Sequence, residues 1–236
     1  VKLAIIGNGS MGQLVRTLAA DDGHEVARVI TSRDASRGMD DLVELLRGHE
    51  AVIDFSVAAA VLKNIEAAAR AGVPLVEGTT GWNADEAAAR RLVEEHAGAL
   101  VFGANFSVGV NLFYRIVARA AELFAATDYA PFIEEAHHSR KRDAPSGTAL
   151  KLRDVLAAHI ARDIPVASTR AGHIPGTHRI GFDSAADQIT LTHTARTREG
   201  FAAGALLAAR WVKDKRGVYE FSGVIDEMIK DVNRES

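Results

Sequence analysis

Leu3-Ala4-Ile5-Ile6-Gly7-Asn8-Gly9-Ser10-Met11-Gly12 is the stretch on which the fold turns. Four apolar residues read as a buried strand, Gly-x-Gly-x-x-Gly follows at once, and residues 13–20 continue with helical period. In that setting the glycines have separate tasks. The first makes a tight turn, the second lets backbone approach a pyrophosphate, and the third lets helix and strand pack closely. The helix start adds free N–H groups for the phosphates. Such a motif alone is an ordinary Gly-rich turn. After a strand and before a helix, it predicts a dinucleotide site at Gly7, Asn8, Gly9, Ser10, Met11 and Gly12.

Strand and helix patterns keep alternating outward from this stretch. Strands are predicted at 25–30, 51–55, 74–76 and 99–102, with helices at 41–46 and 61–71. Asn83-Ala84-Asp85-Glu86 offers an N-cap with Glu three residues on, opening a helix to about residue 96. This rhythm implies a doubly wound parallel sheet with helices on both faces, an α/β fold. Beyond Asn105 it changes. Residues 108–124 read as one long helix whose apolar stripe suits a core or a subunit interface. A strand at 130–136 and a helix at 146–160 follow. Residues 177–182 and 188–193 form a hairpin around a five-residue turn, and a helix at 200–212, a strand at 218–221 and a helix at 224–229 close the pattern.

Composition narrows the function. The 236 residues carry 28 Lys+Arg against 31 Asp+Glu, a net charge of −3 that argues against a general nucleic-acid or membrane-surface binder and leaves room only for local basic clusters. With no cysteine, disulfides, Cys-based zinc sites and thiol nucleophiles are excluded. No apolar run approaches the ~18 residues of a membrane span, and Val1-Lys2-Leu3-Ala4 reads as strand rather than targeting segment, so a cytoplasmic enzyme is expected.

A ribose-reading acid belongs about 20 residues past the glycine motif. Thr31-Ser32-Arg33 stands there instead, with Asp34 next to it. Hydroxyls and an arginine accommodate a 2′-phosphate, so Ser32 and Arg33 are assigned to the cofactor without a preference between NADH and NADPH.

The densest chemistry lies in Glu134-Glu135-Ala136-His137-His138-Ser139-Arg140-Lys141-Arg142-Asp143-Ala144-Pro145-Ser146-Gly147-Thr148-Ala149. Two histidines and three cations follow a strand and precede a Ser-Gly-Thr helix start. Histidine transfers protons near neutral pH, cations hold anions, and the helix start adds donors for a carboxylate. A small dianionic substrate fits this set.

The segment resembles the signature of the dihydrodipicolinate reductase family. Gly78-Thr79-Thr80-Gly81, Ala104-Asn105-Phe106-Ser107-Val108-Gly109-Val110-Asn111 and the stretch 194–204 match further family motifs in the same order, so the resemblance spans essentially the whole chain. It implies reduction of 4-hydroxy-tetrahydrodipicolinate to tetrahydrodipicolinate by NADH or NADPH, on the diaminopimelate route to lysine. Within that resemblance His137 takes the proton-donor position and Lys141 is its partner. His138, Lys141, Ser146, Gly147 and Thr148 match carboxylate-binding positions. Gly78, Thr79, Thr80, Ala104, Asn105, Phe106 and Arg198 match the cofactor region. The implied architecture is a Rossmann-type dinucleotide-binding domain from residues 1–106 and 198–236, with an α+β substrate-binding and oligomerisation domain at 107–197 whose open mixed sheet assembles a homotetramer. The chain departs from many members in a shorter phosphate loop and in Gln13, where an arginine is common.

Other readings are weaker. His173, His178 and His193 suggest zinc only if gathered with His137 and His138, and without a His-Glu-x-x-His run no metal is expected. Ser107 and Ser146 lack a nucleophile elbow. A dinucleotide-sensing regulator explains the first half of the chain but gives His137 and Lys141 no purpose.

Overall fold

In the computed structural model, which describes residues 1–235, the opening stretch forms β1 (Lys2–Ile6), α1 (Ser10–Asp21) and β2 (Glu25–Ile30). The alternation continues through α2 (Ser32–Ala35), α3 (Met39–Leu46), β3 (Ala51–Asp54), α4 (Val61–Ala71), β4 (Leu75–Glu77), α5 (Glu86–Glu95) and β5 (Ala99–Phe102). Later come α6 (Val108–Phe124), β6 (Ala130–His137), α7 (Gly147–Ala157), β7 (Val166–Arg170), β8 (Thr177–Asp183) and β9 (Gln188–Thr194). The last elements are α8 (Glu199–Val212), β10 (Gly217–Glu220) and α9 (Phe221–Glu235).

The described residues divide into two compact units, Val1–Ser107 with Glu199 onward, and Val108–Arg198. Each junction differs by one residue from the predicted limits. Ser107 goes with the first unit, where Asn105 Oδ1 holds its amide at 2.9 Å, and Arg198 precedes the start of α8. Ser236, the end of the predicted 198–236 segment, lies outside the described residues.

In the first unit a six-stranded sheet has the order β10-β5-β4-β3-β1-β2, every pairing parallel. Its inner strands are continuous apolar runs because helices cover both faces. Ile6, Leu42, Leu46, Val52, Ile65, Leu75 and Leu100 belong to one buried cluster. Each such side chain contributes roughly 1.5–3 kcal/mol. An exposed helix ion pair such as Arg90–Glu86 contributes at most about 1 kcal/mol, so burial decides the stability of this layer. Helix α8 reaches the sheet from far along the chain. Its Gly204 lies so close to the Phe106 carbonyl that a Cβ would collide with it.

In the second unit the sheet order is β7-β6-β8-β9, with β6 and β7 parallel and the other pairs antiparallel. Phe113, Val117, Ile133, Leu152, Leu156, Ile180 and Phe182 form its core. Among the described residues, no helix is long and apolar enough to cross a membrane.

Three local expectations need correction. Asn83 does not cap α5. Asn83–Asp85 form a 3-10 turn behind the buried Trp82, whose indole donates to the Thr79 carbonyl at 2.9 Å, and α5 starts only at Glu86. The hairpin strands each run one residue further than predicted, because Asp183 pairs with Gln188, which shortens the turn, and Thr194 pairs with Thr177 at the other end. Neither α2 nor β7 was anticipated.

Candidate active site

The glycine loop leaves β1 at Gly7, whose φ of +99° is a left-handed conformation that glycine tolerates. A Cβ at Gly12 would strike the Gly7 carbonyl, so the third glycine serves packing. Gly9 is the N-cap of α1, and the space a Cβ would take there is clear of any heavy atom within 4 Å. Open space at a helix N-terminus is the cradle a pyrophosphate requires. Gln13 turns back to donate to the Asn8 carbonyl at 3.1 Å, tying the loop to the helix.

Gly9, Ser10 and Met11 line a cavity of about 470 Å³ together with residues 55–58 after β3 and 78–80 after β4. These loops follow the carboxyl ends of parallel strands, where open α/β sheets bind ligands. Phe55 lies over Gly78, where any side chain would collide with its ring. Phe106 is buried against Phe55 and Phe221 with ring centroids 6.5 and 4.7 Å away, and acts as a packing residue behind the loop Ala104-Asn105.

Ser32 and Arg33 are exposed on α2, just past β2. Asp34 is committed elsewhere. Its Oδ2 accepts from the Thr31 amide at 3.0 Å and the Thr31 hydroxyl at 2.8 Å, and the amide bond first, then the hydroxyl, hold its pKa below the ordinary value. Arg198 is exposed and belongs to the second unit.

The second cluster is built across a sheet. Ser168 on β7, Glu135 on β6, His178 on β8 and His193 on β9 are successive register partners, forming one row on one face. Two residues along β6, on the same face as Glu135, is His137, paired with Arg170. Glu135 and His137 are both buried, and the carboxylate Oε2 bonds to His137 Nδ1. Arg170 donates to both oxygens of Glu135, and the Ser146 amide reaches Oε1 at 3.3 Å. Burial alone would raise the Glu135 pKa, but hydrogen bonds from Arg170, Ser168 and His137 together bring it down to about 2. Glu135 is therefore a fixed anion.

His137 is lowered by burial, with Lys141 and Arg170 adding repulsion and Glu135 opposing them. With Nδ1 committed to Glu135, Nε2 is the nitrogen left to face a ligand. A side chain at Gly176 (φ +148°) would crowd it, so glycine there keeps Nε2 accessible. His178 stands edge-on to His137, centroids 5.1 Å apart, and burial followed by repulsion from His137 pushes it down to about 4. It is neutral at physiological pH.

Ligand atoms of Glu135, His137 and His178 lie within 4.8 Å of one another, a spacing compatible with a metal ion. Both Glu135 oxygens, however, already bind the Arg170 guanidinium, which takes the position of a cation. Acid–base chemistry fits this donor set better than metal binding.

The remaining predicted substrate residues belong to the same unit. Ser146 caps α7, its Oγ accepting from the Ala149 amide at 3.2 Å and bonding to His178 Nε2 at 3.1 Å. Both its hydroxyl and its amide bond within the protein and position the helix start. Gly147 is exposed in the first turn of the helix, where N–H groups have no intrahelical partner, and the Thr148 hydroxyl bonds to Tyr114. Lys141 ion-pairs with Asp143 at 2.8 Å, His138 is half-buried with Nδ1 lacking a partner, and Arg140 and Arg142 are exposed. Sequence reasoning gave Glu135 and Arg170 no role and weighed His178 only as a zinc candidate, not as a neighbour of Ser146 and His137. The period-two spacing of Glu135 and His137 in a predicted strand was a usable signal for the first. The other two required the sheet register.

Comparison with known proteins covers both units. Residues 1–106 match the model of the dihydrodipicolinate reductase N-terminus, and residues 109–225 match that of its C-terminus. A 4-hydroxy-tetrahydrodipicolinate reductase of Christiangramia forsetii is 33% identical over 98% of this chain and 100% of its own length. One of Methanosarcina barkeri is 37% identical over 75% of this chain and 73% of its own. Among solved structures, a dipicolinate-bound dihydrodipicolinate reductase from Paenisporosarcina sp. TG-14 superposes with a TM-score of 0.77 at 20% identity, covering 93% of this chain and 97% of that one. A scyllo-inositol dehydrogenase from Lactobacillus casei with bound NAD(H) shares the fold at a TM-score of 0.53 and 11% identity, covering 89% and 87%.

Proposed function

The chain belongs to the dihydrodipicolinate reductase family, and from this premise and the two clusters we infer how its residues divide the work. The activity is that of the family, an oxidoreductase reaction of diaminopimelate and lysine biosynthesis that reduces 4-hydroxy-tetrahydrodipicolinate with a nicotinamide cofactor. When bound, the reduced nicotinamide supplies a hydride to the substrate ring.

The first unit is the dinucleotide-binding domain. Gly9, Ser10 and Met11 offer the start of α1 to the pyrophosphate, while Gly78, Thr79 and Thr80 line the same cavity. Ser32 and Arg33 flank the ribose end, and Arg198 is assigned to the cofactor only by its place in the family motif.

The second unit is the substrate domain. His137 is the proton donor and works from Nε2, because Glu135, held by Arg170, keeps Nδ1 committed. Burial and neighbouring cations lower its pKa in the free protein. A dianionic substrate offsets that repulsion and loads the imidazole with a proton as it binds. Lys141 exchanges Asp143 for a substrate carboxylate, and His138, Gly147 and Thr148 complete the anion site around the start of α7.

The Arg170–Glu135–His137 chain carries this reading. Its test is substrate-dependent oxidation of NADH and NADPH, followed by absorbance and repeated with His137→Gln. Nucleotide binding without turnover in the native protein would favour a sensing role and overturn it.

A homotetramer belongs to the same proposal. Edge strand β9 carries Ile189 44% exposed, and Leu112, Ile116 and Leu123 share one exposed face of α6. Such apolar surface is what further copies would cover. A cytoplasmic location is proposed with it, where reduced nicotinamide is available.

A further inference from the structure

Two carboxyl groups beside the cofactor cavity have no part in the reaction as derived. Asp54 ends β3 and Glu77 ends β4. They are register partners on adjacent parallel strands, and neither has any solvent exposure. Each holds the loop that leaves its own strand. Asp54 Oδ1 accepts from the Ser56 amide at 2.8 Å, and Glu77 Oε1 accepts from the Thr79 amide at 2.7 Å. The loops are also joined to each other, since the Ser56 amide reaches Thr79 Oγ1 at 3.0 Å. Ser56 and Thr79 both line the cavity.

Two buried carboxylates side by side do not both ionise. The donors identify the neutral member. Asp54 receives Ser56 on Oδ1 and Asn64 Nδ2 on Oδ2 at 2.6 Å, so both its oxygens are supplied. Glu77 Oε2 is buried with no donor facing it, the arrangement of an oxygen that carries its own proton. Its register partner Asp54 is the acceptor such a proton would have. Around the pair, β1 contributes Ile6 and β5 contributes Phe102 in register, while α4 contributes Asn64. The buried side of α8 is Ala202, Ala205, Leu206 and Ala209. Among the main influences on each carboxyl, the one titratable group is the other carboxyl.

We propose that one proton shared between Glu77 and Asp54 positions the cofactor site, keeping the two strand ends together and thereby setting the spacing of the Ser56 and Thr79 loops. Removing the proton places two anions against each other and spreads the loops. Burial, and after it the charge of Asp54, pushes Glu77 up to about 10, so the proton stays through the physiological range. The proposal rests on the reading of the cavity as the nucleotide site. Glu77 and Asp54 are positioning residues that touch the loops rather than the cofactor.

The test compares the whole protein with Glu77→Gln, whose amide donates to Asp54 at every pH while its carbonyl still accepts from Thr79. Dissociation constants for NADH are measured by fluorescence at about pH 8 and about pH 10.5. The native protein is expected to weaken about fivefold or more across that step, and the Gln variant by less than about twofold. Parallel weakening would overturn the proposal alone, whereas absence of nucleotide binding at the lower pH would overturn the cavity reading too. Melting temperature gives a second readout. A carboxyl ionising at its ordinary 4.5 when unfolded and at about 10 when folded loses stability steadily as pH rises between those values. The native melting temperature should therefore fall from about pH 7 to about pH 9.5, with a flatter profile in Glu77→Gln. Equal slopes would rule out the shared proton.

Discussion

Arg170 donates through Nη2 to Glu135 Oε1 at 2.7 Å and through Nη1 to Oε2 at 3.0 Å, and that same Oε2 is bonded to His137 Nδ1. The guanidinium thus fixes the imidazole through a carboxylate it keeps ionised. Arg170→Met would leave the anion buried without its cation, a change that costs about 3–5 kcal/mol. Denaturant unfolding checks the size. Because the Glu135 pKa is lowered to about 2 from 4.5, its contribution is present above pH 4.5 and lost as pH falls through 2. Acid titration of Arg170→Met should show a smaller loss in that window. An unchanged acid profile would separate Glu135 from Arg170.

His137→Gln keeps a polar side chain of similar reach but cannot deliver a proton. The expected result is a kcat lowered by about 10²–10⁴-fold with a smaller change in KM. Cofactor affinity should stay near native, since His137 lies outside the domain of the glycine loop. A kcat within about threefold of native would return the proton to His138, Lys141 or water.

Lys141 and Asp143 make opposite predictions. Lys141→Ala should lower kcat and raise KM for the dicarboxylate, because an ammonium at that position serves binding and transition state alike. Asp143→Asn removes the competitor now holding Lys141 and should lower KM. Its effect should stay within about fivefold, because Asp143 is exposed and such pairs contribute about 0–1 kcal/mol. A raised KM in Asp143→Asn would mean that the aspartate orients the lysine for substrate.

Cofactor choice follows from Asp34. With its carboxylate committed to Thr31, it is not free to hydrogen-bond a ribose hydroxyl, and its negative charge is offset beside it by exposed Arg33, which attracts a 2′-phosphate weakly. The kcat/KM values for NADH and NADPH should therefore lie within about tenfold of each other, the range that 1.4 kcal/mol spans. Arg33→Ala should reduce the NADPH value more than the NADH value. A preference above about a hundredfold would assign ribose recognition to other residues.

Features set by neighbours in sequence were legible before the structure. The β1–α1 turn follows from glycine spacing, and the Ser146 cap from the residues beside it. Features set by pairing were not. Val166-Ala167-Ser168-Thr169-Arg170 is short and largely exposed, and becomes a strand only because β6 supplies a partner. Without β7 there was no position for Arg170, and without register no reason to align Ser168, Glu135, His178 and His193. Asp54 and Glu77 each end an apolar strand in the sequence, but their contact depends on the order of strands in the sheet.

The order of synthesis gives the position of α8 another meaning. The second unit is one uninterrupted stretch, Val108–Arg198, and all its contacts exist in the emerging chain before α8 is made. The first unit begins earlier and is completed later. Until Gly204 arrives against Phe106 and β10 pairs with β5, its sheet has an unfinished edge and an uncovered face. The nascent chain thus carries an open half-sheet while every residue of the middle unit has already been made, and in that interval the apolar strands of the half-sheet are the part of the chain open to wrong pairing.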